Sequence, residues 1–213
     1  MELAETLRRR RMTRAYDPAR PVPQEALDAV VAAALRAPSA GFSQGVSLLV
    51  LTSAEERDAF WAATATGESR WLEGMRTAPA LVAVWTSEKA YLDRYAEPDK
   101  GWTDRDRGRW SAPYWFVDAG MAVMASLLAA VDAELGACFF GVPTERVAAV
   151  RLAFGVPSEQ LSVGMISLGY PAAGVGVGGS ALRRRRRPPT SLVHRGRWTA
   201  PTPTRSAPPM APR

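Results

Sequence analysis

The chain of 213 residues contains one cysteine, Cys138, and one histidine, His194. A single cysteine excludes a disulfide framework within the chain and suits a reducing compartment, so we expect a cytoplasmic protein. One histidine and one cysteine cannot supply the ligands of a zinc site, and no carboxylates have the spacing of a calcium or magnesium site. The sequence therefore predicts no metal centre.

Long apolar runs are also scarce. The longest covers residues 120–131 between Asp118 and Asp132, and it is shorter than the roughly 20 residues that span a membrane. Residues 1–14 are charged and contain no apolar segment of the kind found in secretion signals. We expect a buried core helix at residues 120–131, no transmembrane segment and no membrane partner.

Two short matches to catalytic motifs fail on their context. Residues 41–45 fit the G-x-S-x-G pattern of a nucleophile elbow, but a predicted helix precedes them and a predicted strand follows, which is the reverse of the required order. Residues 174–179 fit G-x-G-x-x-G, but arginines follow instead of the helix that a dinucleotide site needs. Without a triad, a metal or a phosphate loop, catalysis would need a bound cofactor.

Arginine, in contrast, is abundant and unevenly distributed. The net charge is +6 with only two lysines, and arginines concentrate in residues 8–14 and 183–197. Two such clusters could converge on one phosphate, because a guanidinium forms paired hydrogen bonds with phosphate oxygens. The alternatives are solvated helix ends and a nucleic-acid or acidic-lipid surface, whose binding would depend strongly on salt.

Hydrophobic periodicity predicts helices alternating with strands, which indicates a three-layer α/β or α+β fold. Helices are predicted at residues 2–11, 23–37, 54–64, 114–134 and 144–154, and strands at residues 46–52, 80–86, 137–140 and 162–170. Residues 88–109 are predicted to be an irregular connection that covers a site. Residues 1–198 are predicted to form one domain, and residues 199–213, with five prolines, a disordered tail or extended arm.

Several segments together resemble the FMN-dependent nitroreductase family. The order is Arg-Arg-Met-Thr-Arg-Ala-Tyr-Asp at residues 10–17, a helix end and loop at residues 34–44, and Trp-Phe-Val-Asp-Ala-Gly at residues 115–120. Similar segments follow at residues 134–143, 168–171, 183–188 and 193–198. No single motif is decisive, but their common order from about residue 8 to residue 198 is specific.

The resemblance implies an α+β fold with a nitroreductase-like mixed sheet flanked by helices in three layers. It also implies an intertwined homodimer with FMN at the subunit interface. Cofactor-binding residues carried over from the family are Arg10, Arg11, Met12 and Arg14 at the FMN phosphate and flavin edge, Pro38, Ser39 and Ala40 from the other subunit, Phe42 in the cofactor and substrate region, Gly141 and Val142 at the flavin N5 and O4 edge, and Arg184 and Arg186 at the phosphate.

The activity that the resemblance implies passes electrons from a nicotinamide donor, through FMN, to a nitroaromatic, a quinone or a similar small oxidant. This chemistry needs no catalytic acid or base from the chain. Met12, Phe42 and the pair Gly45-Val46 depart from the serine, asparagine and Pro-Trp usual in the family. These departures leave the substrate open, and a deazaflavin donor is an alternative to NAD(P)H.

Four aromatic residues near the central helix have two interpretations. Trp102, Trp110, Tyr114 and Trp115 either wall the substrate pocket or pack in the core. Two other functions also stay open. One is a flavin-binding protein without turnover, suggested by Met12 and Phe42. The other, ranked below it, is a nucleic-acid binder that uses residues 183–187.

Overall fold

The computed structural model describes residues 1–174 and 184–198. The chain divides into two units, Met1–Val175 and Gly176–Arg213, which are described separately. The first unit contains the helices and the sheet. The described part of the second contains a short 3₁₀ turn, Pro189–Ser191. The predicted boundary after residue 198 stays a prediction, because residues 199–213 lie outside the described residues. Most of the glycine-rich segment at residues 174–179 also lies outside them.

Four strands form one sheet in the order β1-β2-β4-β3. They are β1 (Val46–Leu51), β2 (Ala80–Thr86), β3 (Gly136–Phe140) and β4 (Leu161–Gly169). All three neighbouring pairs are antiparallel. The expectation of a mixed sheet is therefore wrong for the described strands, where parallel pairing is limited to an isolated bridge between Met12 and Ala137. Side chains alternate between the two faces of a strand whichever way it runs, so the sequence could not show the direction of pairing.

Seven α-helices lie in the described part of the first unit: α1 (Leu3–Arg9), α2 (Gln24–Leu35), α3 (Ala54–Thr64), α4 (Arg70–Arg76), α5 (Glu88–Tyr95), α6 (Tyr114–Asp132) and α7 (Val147–Phe154). The predictions for α3 and β2 are confirmed at both ends. Helix α3 begins where the sequence signals it, because Ser53 and Glu56 form a reciprocal capping box.

The prediction of an irregular segment at residues 88–109 is wrong in its first third, and α4 was not predicted. Helix α5 is polar and buries mainly Tyr91, so it lacks an apolar face that periodicity would detect. Local interactions start it instead. The Ser87 hydroxyl accepts a hydrogen bond from the Ala90 N–H, and Lys89 pairs with Asp93 one turn on.

Helices cover both faces of the sheet, which confirms the three-layer α+β fold. Along β2, Ala80, Val82 and Val84 pack with residues of α2 and α6 on one face. The alternate residues Leu81, Ala83 and Trp85 pack with α3, α4 and α7 on the other. All seven residues of β2 are buried, because a central strand between two helical layers has no solvent face.

Helix α6 is the longest element and has two apolar faces. It is the one described helix that is long and apolar enough to cross a membrane, but half of the qualifying segment is buried inside the unit. Its buried face packs on α2 and the sheet through Val123, Leu127 and Ala130. Its other face carries an exposed apolar stripe: Phe116, Val117, Gly120, Met121 and Met124.

Candidate functional site

A cavity of about 250 Å³ opens between α3, α4 and the turn that follows β3. Its main walls are aromatic or lie on that turn: Phe60, Trp61, Trp71, Phe140, Gly141 and Val142. Gly141 and Val142 were predicted at a flavin edge, whereas the four aromatic walls were not predicted. Their signal in the sequence was weak, because helix-spaced aromatic residues more often pack in a core.

The aromatic side chains hold one another in fixed orientations. Trp61 stacks almost parallel to Phe140, with ring centroids 5.8 Å apart and planes 8° apart. Trp71 meets the same ring edge-on at 5.5 Å. The Trp61 Nε1–H is buried without a partner among the described residues, and a buried donor of this kind favours a ligand that can accept its hydrogen bond. The cavity therefore has an aromatic lining whose rings are held against one another.

Gly141 stands at the mouth of this cavity, directly after the last residue of β3. A Cβ atom added there would meet no other atom within 4 Å, so the space beside its backbone is open. A second cavity of about 470 Å³ also reaches Gly141 and Val142 and extends to Phe116 at the start of α6. The backbone of this turn is thus accessible from two sides.

Residues 12–16 run beside β3 and contact α4, which lines the cavity. Thr13 N–H donates to the Ala137 carbonyl at 2.9 Å, and Tyr16 N–H donates to Thr77 Oγ1 at 2.8 Å. The Tyr16 hydroxyl donates to the Thr13 carbonyl at 2.6 Å, and its ring is buried. These bonds fix the arginine-rich segment at the sheet edge.

The predicted residues of this segment differ in what they can still bind. Arg10 is half-buried, and its Nη1 has no partner among the described residues. Arg11 is exposed and donates to the carbonyls of Arg8 and Arg10. Arg14 is exposed and its Nη1 lies 3.3 Å from the Met12 carbonyl. Met12 itself packs against the core. Arg10 is thus the arginine whose bonding capacity is least used.

Cys138 does not act as a nucleophile in this arrangement. It is buried, and burial raises the pKa of its thiol, opposed only by the positive charge of Arg14. A neutral thiol in an apolar setting is inert.

The predicted residues Pro38, Ser39, Ala40 and Phe42 lie in a loop on the α5–α6 side of the unit. None of them lines the first cavity in its own chain. Gly41, Phe42 and Gln44 have φ angles of 60°, 59° and 51°, a left-handed conformation that is uncommon outside glycine. The Phe42 side chain is 72% exposed. We call residues 39–44 the left-handed loop.

The left-handed loop is held by a carboxylate that sequence reasoning missed. Asp118 on α6 is 2% exposed, and its Oδ2 accepts hydrogen bonds from Ala40 N–H and from the Tyr91 hydroxyl, each at 2.8 Å. Arg94 Nε donates to the Gly41 carbonyl at 2.8 Å. The available signal in the sequence was an aspartate inside an otherwise apolar helix, because a buried carboxylate requires hydrogen-bond partners.

The aromatic residues expected either at the pocket or in the core form a cluster around Trp110, in which Trp115 is buried and Trp102, Trp110 and Tyr114 are half-buried. Trp110 lies 4.4 Å from the Tyr95 ring and 6.1 Å from the Tyr91 ring, measured between centroids. Trp102 and Tyr114 contact the same tryptophan. This cluster packs against α5 beneath the left-handed loop, so residues 96–113 support that loop and do not line the first cavity.

Arg184 and Arg186 belong to the second unit, where both are exposed. Within that unit the Arg187 guanidinium donates to the Ser191 carbonyl at 3.1 Å, and His194 stacks on Trp198 at 4.1 Å. The contact of Arg184 and Arg186 with a cofactor phosphate stays a prediction.

Comparison with solved structures finds the same fold in other proteins. The chain resembles a nitroreductase from Desulfovibrio desulfuricans in complex with FMN (24% identity, TM-score 0.69, covering 93% of this chain and 99% of that one). It also resembles an NADH dehydrogenase/NAD(P)H nitroreductase from Parabacteroides distasonis (20% identity, TM-score 0.68, covering 92% of this chain and 98% of that one). A third similar structure is an NADH oxidase from Clostridium acetobutylicum (23% identity, TM-score 0.65, covering 91% of this chain and 99% of that one).

Among curated proteins, no significant match was found. The sequence model of the Nitroreductase family matches residues 7–170, which is more than half of the chain and includes both the arginine segment and the turn after β3. The sequence match and the antiparallel α+β fold agree, and this chain therefore belongs to the nitroreductase family.

Proposed function

We propose that this protein is an FMN-dependent oxidoreductase that passes electrons from NAD(P)H to a nitroaromatic, a quinone or a similar flat oxidant. The observation that carries the proposal is the aromatic cavity that ends at the Gly141–Val142 turn. The basic segment runs along the same strand, β3, and its Arg10 has a donor without a partner among the described residues. FMN presents the matching features, a flat apolar ring system and a phosphate dianion.

The chain's residues fit this cofactor in three respects. The stacked rings of Trp61 and Phe140 line the cavity with apolar aromatic surface. The open space beside Gly141 admits a ring edge close to the backbone, where N–H groups can donate. A phosphate oxygen would satisfy Arg10 Nη1, a buried charged donor that has no partner within residues 1–174 and 184–198.

When bound, FMN supplies the hydride chemistry, and the chain supplies orientation and surroundings. The aromatic walls exclude water from the cavity, which strengthens the electrostatic effect of nearby donors. Arg10, with Arg14 nearby, provides positive charge for the phosphate. No side chain is assigned as a catalytic acid or base. A deazaflavin is the alternative donor, to be compared with NADH and NADPH in one assay.

We further propose that the protein is a homodimer. Five exposed apolar positions on α6, from Phe116 to Met124, form a continuous stripe along one helix face, and such stripes mark association surfaces. The left-handed loop adjoins this stripe through the Asp118–Ala40 hydrogen bond. In a symmetric dimer the loop of each copy would then lie at the edge of the interface, where Phe42 can reach the other copy.

The first experiment is an absorption spectrum of the purified protein with an FMN titration. We expect a yellow protein that releases FMN on denaturation. Arg10→Ala should raise the FMN dissociation constant by about tenfold or more, since hydrogen bonds to charged groups contribute about 1.5–3 kcal/mol. Arg8→Ala is the control, because Arg8 is exposed and paired with Glu5. A protein that binds no added FMN would refute the proposal.

The second experiment tests the C-terminal arginines. The double variant Arg184→Ala with Arg186→Ala should weaken FMN binding, whereas Arg195→Ala with Arg197→Ala removes the same charge from the same unit and should have little effect. Equal effects of both double variants would mean that these arginines act only through overall charge.

Sedimentation at micromolar concentration tests the dimer, and a monomer that retains FMN would contradict it.

A further inference from the structure

The left-handed loop is strained, and its strain is maintained from outside. Phe42 and Gln44 adopt positive φ angles of 59° and 51° without being glycine, a conformation that costs free energy and persists only where surrounding structure imposes it. Within the loop, the Gln44 N–H donates to Ser39 Oγ at 3.0 Å and the Phe42 N–H donates to the Ser39 carbonyl at 2.9 Å. These internal bonds shape the turn but do not attach it to the domain.

Attachment comes from α5 and α6. Asp118 Oδ2 binds the loop through Ala40 N–H and binds α5 through the Tyr91 hydroxyl, each at 2.8 Å. No cation pairs with Asp118 among the described residues. A buried carboxylate without an ion pair is costly, and hydrogen bonds to it are correspondingly strong. Asp118 therefore joins three elements at one oxygen atom.

Two residues of α5 also hold the loop, Tyr95 by packing and Arg94 by a hydrogen bond. The Tyr95 ring lies against Gly41, where an added Cβ would approach it to 2.6 Å. Arg94 holds the Gly41 carbonyl and, through its other nitrogens, Asp99. The result is a loop that is rigid at its base and carries an exposed aromatic residue, Phe42, at its tip.

We propose that Asp118 is a positioning residue, which holds the left-handed loop in its strained form and thereby presents Phe42 to the second copy of the chain. The part of the proposal that concerns what Phe42 contacts rests on the proposed dimer and FMN site. The part that concerns how the loop is held depends on neither. Asp118 lies on α6 between Val117 and Gly120 of the exposed stripe, so the loop that it fixes adjoins the proposed interface. Phe42 then covers the flavin site of the other copy in a conformation formed before association.

Hydrogen–deuterium exchange of a peptide covering residues 36–48 tests the loop directly, without any cofactor. Asp118→Ala should accelerate exchange in this peptide by about tenfold or more, and Asp118→Asn, which keeps one acceptor oxygen, should accelerate it less. Ser126→Ala is the matched control, because Ser126 is also a buried polar residue of α6 but bonds Val30, not the loop. Exchange in Asp118→Ala within twofold of the wild type, or equal acceleration in Ser126→Ala, would overturn the proposal.

A double-mutant cycle on the FMN dissociation constant tests the link to Phe42. Asp118→Ala and Phe42→Ala should each raise the FMN dissociation constant. The dissociation constant of the double variant should exceed that of Phe42→Ala by less than twofold, because without the Phe42 ring the position of the loop matters little for binding. The pair Ser126→Ala and Phe42→Ala should combine additively. Additive effects for Asp118 and Phe42 would refute the positioning role. If the wild type binds no FMN, the proposed function fails, and the exchange experiment still decides how Asp118 acts.

Discussion

Residues 12–16 and the left-handed loop both carry predicted cofactor residues, but different interactions hold them. The first segment is joined to the sheet by its own backbone, through the Met12–Ala137 bridge and the Thr13–Ala137 hydrogen bond. The loop is held by side chains from other elements, chiefly Asp118 and Arg94. A segment fixed by its backbone tolerates changes in its exposed side chains. A segment fixed by distant side chains depends on a few residues that lie elsewhere in the sequence.

The largest effect should come from Tyr16, the most deeply buried side chain of the first segment. Tyr16 is 1% exposed and packs in the core, so Tyr16→Ala should lower the free energy of unfolding by about 3–5 kcal/mol. Tyr16→Phe keeps the ring and loses only the hydroxyl, and it should cost about 1–3 kcal/mol. Urea denaturation measures both. Equal losses would mean that the hydroxyl network, not the packed ring, holds the segment.

In the loop, the backbone of Gly41 should be the most sensitive position. Gly41→Ala places a Cβ 2.6 Å from the Tyr95 ring at a φ of 60°, which should cost about 1–3 kcal/mol of folding free energy. Gly155→Ala is the control, since its φ is 62° but an added Cβ meets nothing within 4 Å. The amount by which Gly41→Ala lowers the free energy of unfolding beyond Gly155→Ala measures the contact with Tyr95. Equal losses in the two variants would show that the loop has room to move.

Alkaline pH should weaken both anchors. Burial raises the pKa of Tyr16, and burial together with Asp118 raises the pKa of Tyr91, each above an ordinary value near 10. A raised pKa in the folded state gives stability that is complete below about pH 10 and is lost as the pH rises further. Denaturation between pH 8 and pH 11 should show this loss, and Tyr16→Phe and Tyr91→Phe should each reduce its slope. An unchanged slope in both variants would contradict the assignment.

The smallest effect on stability is expected at the loop tip. Phe42→Asn should change the free energy of unfolding by no more than about 0.5 kcal/mol, because Phe42 is exposed and asparagine tolerates a left-handed backbone better than phenylalanine does. It should nevertheless change the relative rates of flavin reoxidation by nitroaromatic and quinone oxidants under anaerobic conditions. Identical rates across such a panel would place Phe42 outside the site.

The sequence by itself predicted the elements with strong local signals. Hydrophobic periodicity predicted the bounds of α3 and β2, and the structure shows what defines them, since Ser53 and Glu56 cap α3 and every residue of β2 is buried. The order of motifs predicted the family, and it singled out Gly141 and Val142 as residues at the flavin edge; both line the aromatic cavity. These features depend on residues that are close together in the chain, so local physical chemistry determines them.

Only the tertiary structure decided which residues complete the site and how they are held. The antiparallel direction of the strands, the walls formed by Trp61, Trp71 and Phe140, and the clamp from Asp118 to Ala40 all join residues distant in sequence. Helix α5 escaped prediction because its polar surface packs against neighbouring aromatic residues and shows no apolar period. Side-chain patterns report which face is buried but not what covers it, so pairings between remote segments emerge only when the chain has folded.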